Sequence, residues 1–258
     1  MAIDEAILRE LQQQGSDVLP TLRLYGWKKP SVSLGYFQNV TTEVNIPFCR
    51  RNDIPIIRRP TGGKAVLHDD DLTYAVIARE DDRLFPGGLV GTYKVISQCI
   101  AAGLEKLGVR ADMVEEGRPS DGADFQAFCF SAPSQHELLV EKRKICGSAQ
   151  IRSKGVFLQH GSLLMSFDPL QTCRTLIPSG ADAAALQRRV TSLYEYADRA
   201  AVDRGICGIL KEAFEECLEI RLIDGSLTEA EEKMKSHLLN SKYRDSRWNM
   251  EGKRLYED

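Results

Sequence analysis

Apolar side chains recur at helical spacing where the chain begins. Ile3, Ala6, Ile7, Leu8 and Leu11 fall on or near one face, which predicts a helix over residues 2–14. The pattern then changes to alternation. "TLRLYGW" and "SVSLGYF" read as two strands joined by a turn at "KKP". "IPIIRR", "KAVLH" and "LTYAVIA" are short β-rich runs set around a glycine pair, and residues 90–107 return to helical spacing before Gly108. Between His136 and Met165 lie three strand-like runs: "HELLVEKRKICG", "AQIRS" and "VFLQHGSLLMSF". "GICGILKEAFEECL" is the clearest later helix. "LTEAEEKMKSHLLNSKY" predicts an amphipathic helix with Thr228 as N-cap and Glu231 completing a capping box. No internal repeat or low-complexity segment is visible. The order of elements predicts an α+β fold, a mainly antiparallel sheet with helices on one side.

Composition narrows the class. The 258 residues, 43% hydrophobic and 28% charged, suit one soluble domain spanning 1–258, mostly helical from about residue 200. A net charge of -3 argues against a general nucleic-acid binder. The opening "MAIDEAILRE" is charged and lacks the apolar run of a secretory signal. No run approaches the ~20 apolar residues of a spanning helix. The seven cysteines form no C-x-x-C pair, so buried thiols in a reducing cytoplasm are the expectation. No membrane partner and a monomer are expected.

Two stretches carry candidate chemistry. In "RRPTGGKAVLHDDDLTYAV" the adjacent Gly62 and Gly63 admit positive φ and let a ligand lie against bare backbone. Arg58, Arg59 and Lys64 give the loop a basic setting, and its N–H groups could form an anion nest. The plain alternative is a Gly-Gly turn. His68 with Asp69, Asp70 and Asp71 raises the question of a metal. Neighbours on a strand face opposite ways, so an acidic turn is the better reading and no metal is expected. In "ELLVEKRKICGSAQ", strict alternation puts Val140, Lys142, Lys144, Cys146 and Ser148 on one face. A reactive thiol needs exposure and a cationic neighbour. Strand geometry favours Cys146 beside Lys144, whereas accessibility favours Cys129, which precedes the loop "FSAPSQ".

"RRPTGGKAVLHDDDLTYAV" and "KRKICGSAQIRSKGVFLQHGSLL", with "MAIDEAIL" and "LRLYGWKKPSVSLGYFQ", resemble the lipoate–biotin protein ligase and acyltransferase superfamily over most of residues 1–170. The resemblance implies that superfamily's catalytic-domain fold. Its arginine pair and glycine run match Arg58 to His68, and its lysine in a Lys-x-x-Gly-Ser-Ala-Gln setting falls on Lys144. Among its branches the chain is closest to cysteine-dependent octanoyltransferases. Lys64 stands where many ligases have a third glycine, and "FCFSAPSQHELLVEKRK" resembles the loop whose nucleophile falls on Cys129. A second transferase branch keeps its cysteine in a later Pro-Cys-Gly turn. Here that turn reads "IPSG", with Ser179 in place.

The resemblance implies octanoyl transfer from octanoyl-acyl carrier protein to a lysine of lipoyl domains or glycine cleavage H protein, in lipoate biosynthesis. Cys129 would be the nucleophile, Lys144 its partner and Cys146 a packing residue. An already activated thioester needs no ATP, so no cofactor is expected. Substrate would be held by Arg58, Arg59, Thr61, Gly62, Gly63, Lys64 and His68, and by Gly147, Ser148, Ala149, His160 and Gly161. Gly62 and Gly63 would floor an apolar channel. For His68 and His160 a structural role is equally open. Arg50, Arg51, Arg58, Arg59, Lys142 and Arg143 would form a basic patch for acidic carriers. The rival readings are an ATP-dependent lipoate-protein ligase, or its catalytic subunit, and a non-catalytic acyl- or carrier-binding homologue.

Overall fold

The computed structural model describes residues 1–13, 19–114, 137–176 and 182–252. Helix α1 (Ala2–Gln13) is followed by strands β1 (Thr21–Tyr25) and β2 (Ser31–Leu34), then the short helices α2 (Val40–Glu43) and α3 (Ile46–Arg51). Strands β3 (Ile56–Arg58), β4 (Val66–His68) and β5 (Asp71–Arg79) lead to α4 (Gly88–Lys106). Next come β6 (Asp112–Met113), β7 (Leu138–Val140), β8 (Arg143–Ser153) and β9 (Val156–Leu164). Helices α5 (Pro169–Thr175), α6 (Ala183–Gln187), α7 (Arg199–Leu218) and α8 (Glu229–Leu238) close the order, with π-type turns at Leu239–Tyr243 and Arg247–Glu251.

Among the described residues the main sheet has six strands in the order β1-β5-β9-β8-β7-β6, every pair antiparallel. A second sheet, β3-β2-β4, has one parallel pair. "TLRLYGW" and "SVSLGYF" therefore do not form a hairpin: β1 pairs with β5 and β2 joins the other sheet. Trp27 in the connection explains the divergence. Its ring stacks on His68 at 4.1 Å and its Nε1 donates to Thr73 Oγ1 at 2.8 Å, which anchors the crossing between sheets.

The expected first run of the 136–165 region breaks at Glu141 and Lys142, both with positive φ, in a tight hairpin turn. The remainder of that run, from Arg143 onward, fuses with "AQIRS" into the single strand β8. Pairing shifts register there: Leu139 lies opposite Lys144 but Leu138 opposite Cys146, which leaves Ile145 as a bulge. Strict alternation fails as a result. Lys142 is in the turn, and Ile145 and Cys146 both pack into one core.

Helices cover both faces of the main sheet, not one. Tyr74, Val76 and Ala78 on β5 and Phe157 and Leu163 on β9 pack against α4 (Ile96, Cys99, Ile100, Leu104) and α7 (Ile206, Leu210, Phe214). On the opposite face Ala75, Ile77, Val156 and Leu158 pack against Ile7, Leu8 and Leu11 of α1. The same parity continues along these strands to Asp71, Thr73, His160 and Ser162, but there the residues are polar and meet the second sheet. Ala149 and Gly147 stand opposite His160 and Ser162 and share that face. One sheet face thus turns from an apolar helix seat into a polar pocket wall.

The C-terminal region ties back to this junction. Helix α8 has the predicted capping box at Thr228 and Glu231 and packs on α1. Glu5 of α1, buried, accepts from Lys242 Nζ at 2.8 Å and from the Tyr243 hydroxyl, and pairs with Arg9 at 2.8 Å. Burial alone would raise its pKa, but the charge of Lys242 and these hydrogen bonds hold the carboxyl below its ordinary value. Among the described residues no helix is long and apolar enough to cross a membrane.

A depressed folded-state pKa stabilises the protein above the unfolded value, about 4.3, and that contribution is lost as pH falls through the folded value. Glu5→Gln should therefore lower stability at pH 7 by about 3 kcal/mol, because it leaves Lys242 half-enclosed without its counter-charge. It should also flatten the acid limb of the stability curve below about pH 4.3. Urea unfolding at several pH values measures both.

Candidate active site

The glycine loop between β3 and β4 is organised by a buried arginine. Arg59 donates to the carbonyl oxygens of Ser33 (3.0 Å), Gly62 (2.8 Å) and Lys64 (2.7 Å) and to the hydroxyls of Ser33 (3.1 Å) and Thr61 (3.1 Å). Gly63 has φ +88, and a Cβ there would lie 2.8 Å from Arg59 Nη2. A Cβ on Gly35 would lie 1.9 Å from Gly63 O, so a second glycine is what lets the loop lie on β2. Gly62 has open space where its Cβ would be.

Arg58 turns the other way. It donates to the carbonyls of Gly35 (3.0 Å), Tyr36 (2.9 Å), Gln38 (2.7 Å) and Trp248 (3.0 Å), and Trp248 Nε1 donates to its carbonyl at 2.9 Å. It bolts the C-terminal turn onto β3 and does not face the loop. The expected basic patch is overturned in part for this reason: Arg58 and Arg59 are buried under main-chain carbonyls, and Arg143 is paired with Glu195 at 2.8 Å. Arg50, Arg51 and Lys142 remain exposed.

A pocket lies between the two sheets. Arg59, His68, Gly147, Ser148, Ala149, His160 and Gly161 line it, as do Ser33, Val66, Thr73, Ser162 and Met1. Thr61 supports it from behind through His160. Gly62, Gly63, Lys64 and Arg58 are not among its lining residues, whereas Gly147, Ala149 and Gly161 are. Gly161 is required by close approach: a Cβ would lie 2.5 Å from the Tyr74 ring and 2.6 Å from Gly147 O. Ser33, Thr73 and Ser162 are sites that sequence reasoning missed. Their signal was a hydroxyl inside an otherwise apolar strand.

Both histidines are built into this wall. Arg59 donates to Ser33 Oγ, which leaves the Ser33 proton for His68 Nε2 at 2.7 Å and the Nδ1 proton of His68 for Asp71 at 3.0 Å. Ser162 and Thr73 also donate to Asp71, whose carboxyl is held below its ordinary value: burial opposes this, but His68 and these hydrogen bonds outweigh it. Asp71 is therefore a buried strand residue, whereas Asp69 and Asp70 form the turn. Among the described residues no group of three or more His, Cys, Asp or Glu is placed to hold a metal. His160 Nε2 lies 2.6 Å from Thr61 Oγ1, and its Nδ1 has no hydrogen-bond partner among the described residues. Burial, with Arg59 nearby, pushes its pKa down to about 3 against the opposing pull of Asp4, so the ring is neutral at pH 7.

Lys144, at the start of β8, is buried with Nζ 2.6 Å from Glu137 Oε1. It is not a lining residue of the pocket. Gly147 lies three positions further along the strand, a span of about 10 Å at ~3.3 Å per residue. Cys146 is 2% exposed in the core under α4 and α7. Cys129 and Ser179 lie outside the described residues. Cys49, Cys99 and Cys146 are buried, the environment expected of most of the thiols, whereas Cys207 and Cys217 are exposed.

The loop glycines should respond unequally to substitution. Gly63→Ala should cost about 1–2 kcal/mol, the price of a left-handed residue carrying a Cβ, whereas Gly62→Ala should stay within about 0.5 kcal/mol of the parent. Chemical denaturation of the pair tests this. For His160, a folded pKa far below the unfolded value of about 6.5 means that the unfolded chain binds a proton first. Stability should fall as pH drops from about 6.5 toward 3, by up to about 1.4 kcal/mol per pH unit, and His160→Gln should remove that slope.

Comparison with known proteins agrees with this geometry. The sequence profile of the lipoyl protein ligase A/B catalytic domain matches residues 1–215. Octanoyltransferase LipM of Kyrpidia tusciae is 40% identical over 257 residues, covering 96% of this chain and 93% of the relative. Octanoyltransferase LipM of Bacillus subtilis is 36% identical over 258 residues, covering 96% and 92%. Among solved structures, lipoate-protein ligase A bound with ATP superposes with a TM-score of 0.80 at 28% identity, covering 96% of this chain and 92% of that one. The bi-partite lipoate protein ligase of Thermoplasma acidophilum gives 0.79 at 28%, covering 98% and 91%. The chain belongs to the lipoyl protein ligase A/B catalytic domain family.

Proposed function

We propose that this chain is an octanoyltransferase of lipoate biosynthesis that works through a thioester on Cys129. The observation that carries the reading is its identity of 36–40% to octanoyltransferases named LipM over nearly its whole length. The ligases it superposes on are more distant, at 28%. The chain acts as one catalytic unit over residues 1–258, in the cytoplasm and as a monomer.

The donor is octanoyl-acyl carrier protein. The Cys129 thiolate attacks the thioester carbonyl and expels the carrier's thiolate, which takes up a proton from solvent. The target lysine amine of a lipoyl domain or of glycine cleavage H protein then attacks the acyl-enzyme. An amide forms, the Cys129 thiolate is released and the amine's proton passes to solvent, so kinetics are ping-pong. No ATP enters, because the donor is already activated.

The pocket suits a carbonyl head and a straight acyl chain. Gly147 and Ala149 put little or no side chain into the wall, and each methylene enclosed there contributes about 0.8 kcal/mol. Main-chain groups at 147–149 would meet the acyl carbonyl, and Lys144 supplies the cation that stabilises thiolate and oxyanion. His160, neutral and with Nδ1 unsatisfied among the described residues, and the fixed His68 shape the pocket wall. Arg58, Thr61, Gly62, Gly63 and Lys64 act on substrate through the loop's shape. Exposed Arg50, Arg51 and Lys142 steer acidic carriers, chiefly by raising the encounter rate.

Intact-mass measurement after mixing with octanoyl-carrier protein tests the reading. An octanoyl adduct should form without ATP on the parent and on Cys146→Ala, and should be missing from Cys129→Ala. Lys144→Ala should slow adduct formation by about 10²–10³, the usual loss for one oxyanion donor, with little recovery in Lys144→Arg. Modification of the acceptor only when ATP and free acid are present would establish the ligase reading instead.

A further inference from the structure

Lys144 is one of the largest side chains fully enclosed in the protein, and its carboxylate partner is as deeply placed: the two side chains are 2% and 3% exposed. Taking an ammonium out of water costs several kcal/mol unless a counter-charge meets it. The backbone of Lys144 cannot swing to find water. Its N–H donates to Arg189 O at 2.8 Å and its carbonyl accepts from Thr191 N at 3.0 Å, which pins the start of β8 to the 189–191 segment. The Ile145 bulge then sets the residue's direction apart from the regular alternation of β8. With the main chain held, the side-chain torsions alone aim the ammonium.

Glu137 is held as firmly. Its carbonyl accepts from Val114 N at 3.0 Å, and Leu138 behind it pairs with both Met113 and Cys146. The elements around the pair are largely apolar. Strand β7 offers Leu138, Leu139 and Val140, and β9 offers Leu163 and Leu164. Among the described residues, the titratable or charged groups on neighbouring elements are Arg143 and Cys146 on β8, Asp112 on β6, and Arg188, Arg189 and Glu195 beside the 189–191 segment. Asp112 is exposed, and Glu195 is taken by Arg143 and Thr191.

We propose that Glu137 is a positioning residue for acyl transfer, whose carboxylate keeps Lys144 charged and aimed along β8 toward the 147–149 wall. The inference rests on the proposed role of Lys144 in the transfer. It assigns Glu137 no contact with substrate and no proton transfer. Without the carboxylate, an enclosed ammonium is disfavoured and its pKa falls.

The test uses the full chain as Glu137→Gln and Glu137→Asp. The first readout is the rate of octanoyl adduct formation from about pH 6 to 9. The second is NMR titration of ¹³Cε-labelled lysine, with the Lys144 signal identified by its loss in Lys144→Ala. In the parent, Lys144 should stay charged throughout. In Glu137→Gln it should titrate within that range, and the adduct rate should fall by about tenfold between pH 6 and 8 relative to the parent profile. Glu137→Asp keeps the charge at a shorter reach, so it should keep the parent's pH dependence at a lower rate. A Gln variant whose rate or melting temperature drops uniformly, with the parent's pH profile and a Lys144 signal that never titrates, overturns the proposal. Should the Gln variant not fold, Glu137→Asp decides: a slowed adduct rate with an unchanged pH profile supports positioning, and a parental rate refutes it. If Lys144→Ala forms adduct at the parent rate, the proposed role of Lys144 itself fails, while the lysine titration still shows whether Glu137 governs its charge.

Discussion

A single buried guanidinium holds the pocket together. Arg59 meets its own desolvation by donating to three carbonyls and two hydroxyls, drawn from β2 and from the loop after β3. A buried charge is tolerable only with such saturation, so the loop has little freedom to relax away from it. The constraint propagates. Arg59 orders Ser33, Ser33 orders His68, and His68 orders Asp71 and with it Ser162 on the main sheet. The wall of the pocket is thus one hydrogen-bonded chain running from the second sheet to the first.

Close approach is the complement of that bonding. Gly35 lets the loop sit on β2, and Gly161 lets Tyr74, β8 and β9 meet without a Cβ between them. Each glycine stands where another group already occupies the space. This is also why the two loop glycines are not equivalent. A Cβ on Gly63 would be opposed by its φ and by Arg59 Nη2, whereas one on Gly62 would meet open space.

Charge is divided between the pocket wall and the start of β8. The pocket wall carries a histidine kept neutral by burial, whereas the start of the strand carries an ammonium kept in place by Glu137. Acyl transfer needs both conditions: an uncharged enclosure for an aliphatic chain, and a cation where negative charge develops. His160 stands on β9 opposite Ala149 of β8, and the Ile145 bulge and the 189–191 segment set Lys144 apart from that wall.

Local signals determined much of this protein. Helical spacing marked α1, α4 and α7, the capping box marked α8, and the glycine pair with its arginines marked the loop, because each depends on residues close in sequence. The polar stretch from Asp71 to His160 was visible only as hydroxyls and imidazoles scattered in apolar strands. Their common face came from pairing β5 with β9, which is non-local. The division of "SVSLGYF" from "TLRLYGW" into different sheets, the burial of Arg58 beneath Trp248 and the pairing of Lys144 with Glu137 were likewise decided by tertiary structure. Alternation could not foresee Ile145 and Cys146 entering one core, because a bulge is set by the partner strand and leaves no period of its own. What the sequence decided was which residues carry the chemistry; which of them face each other was decided by the packing of two sheets around one buried guanidinium.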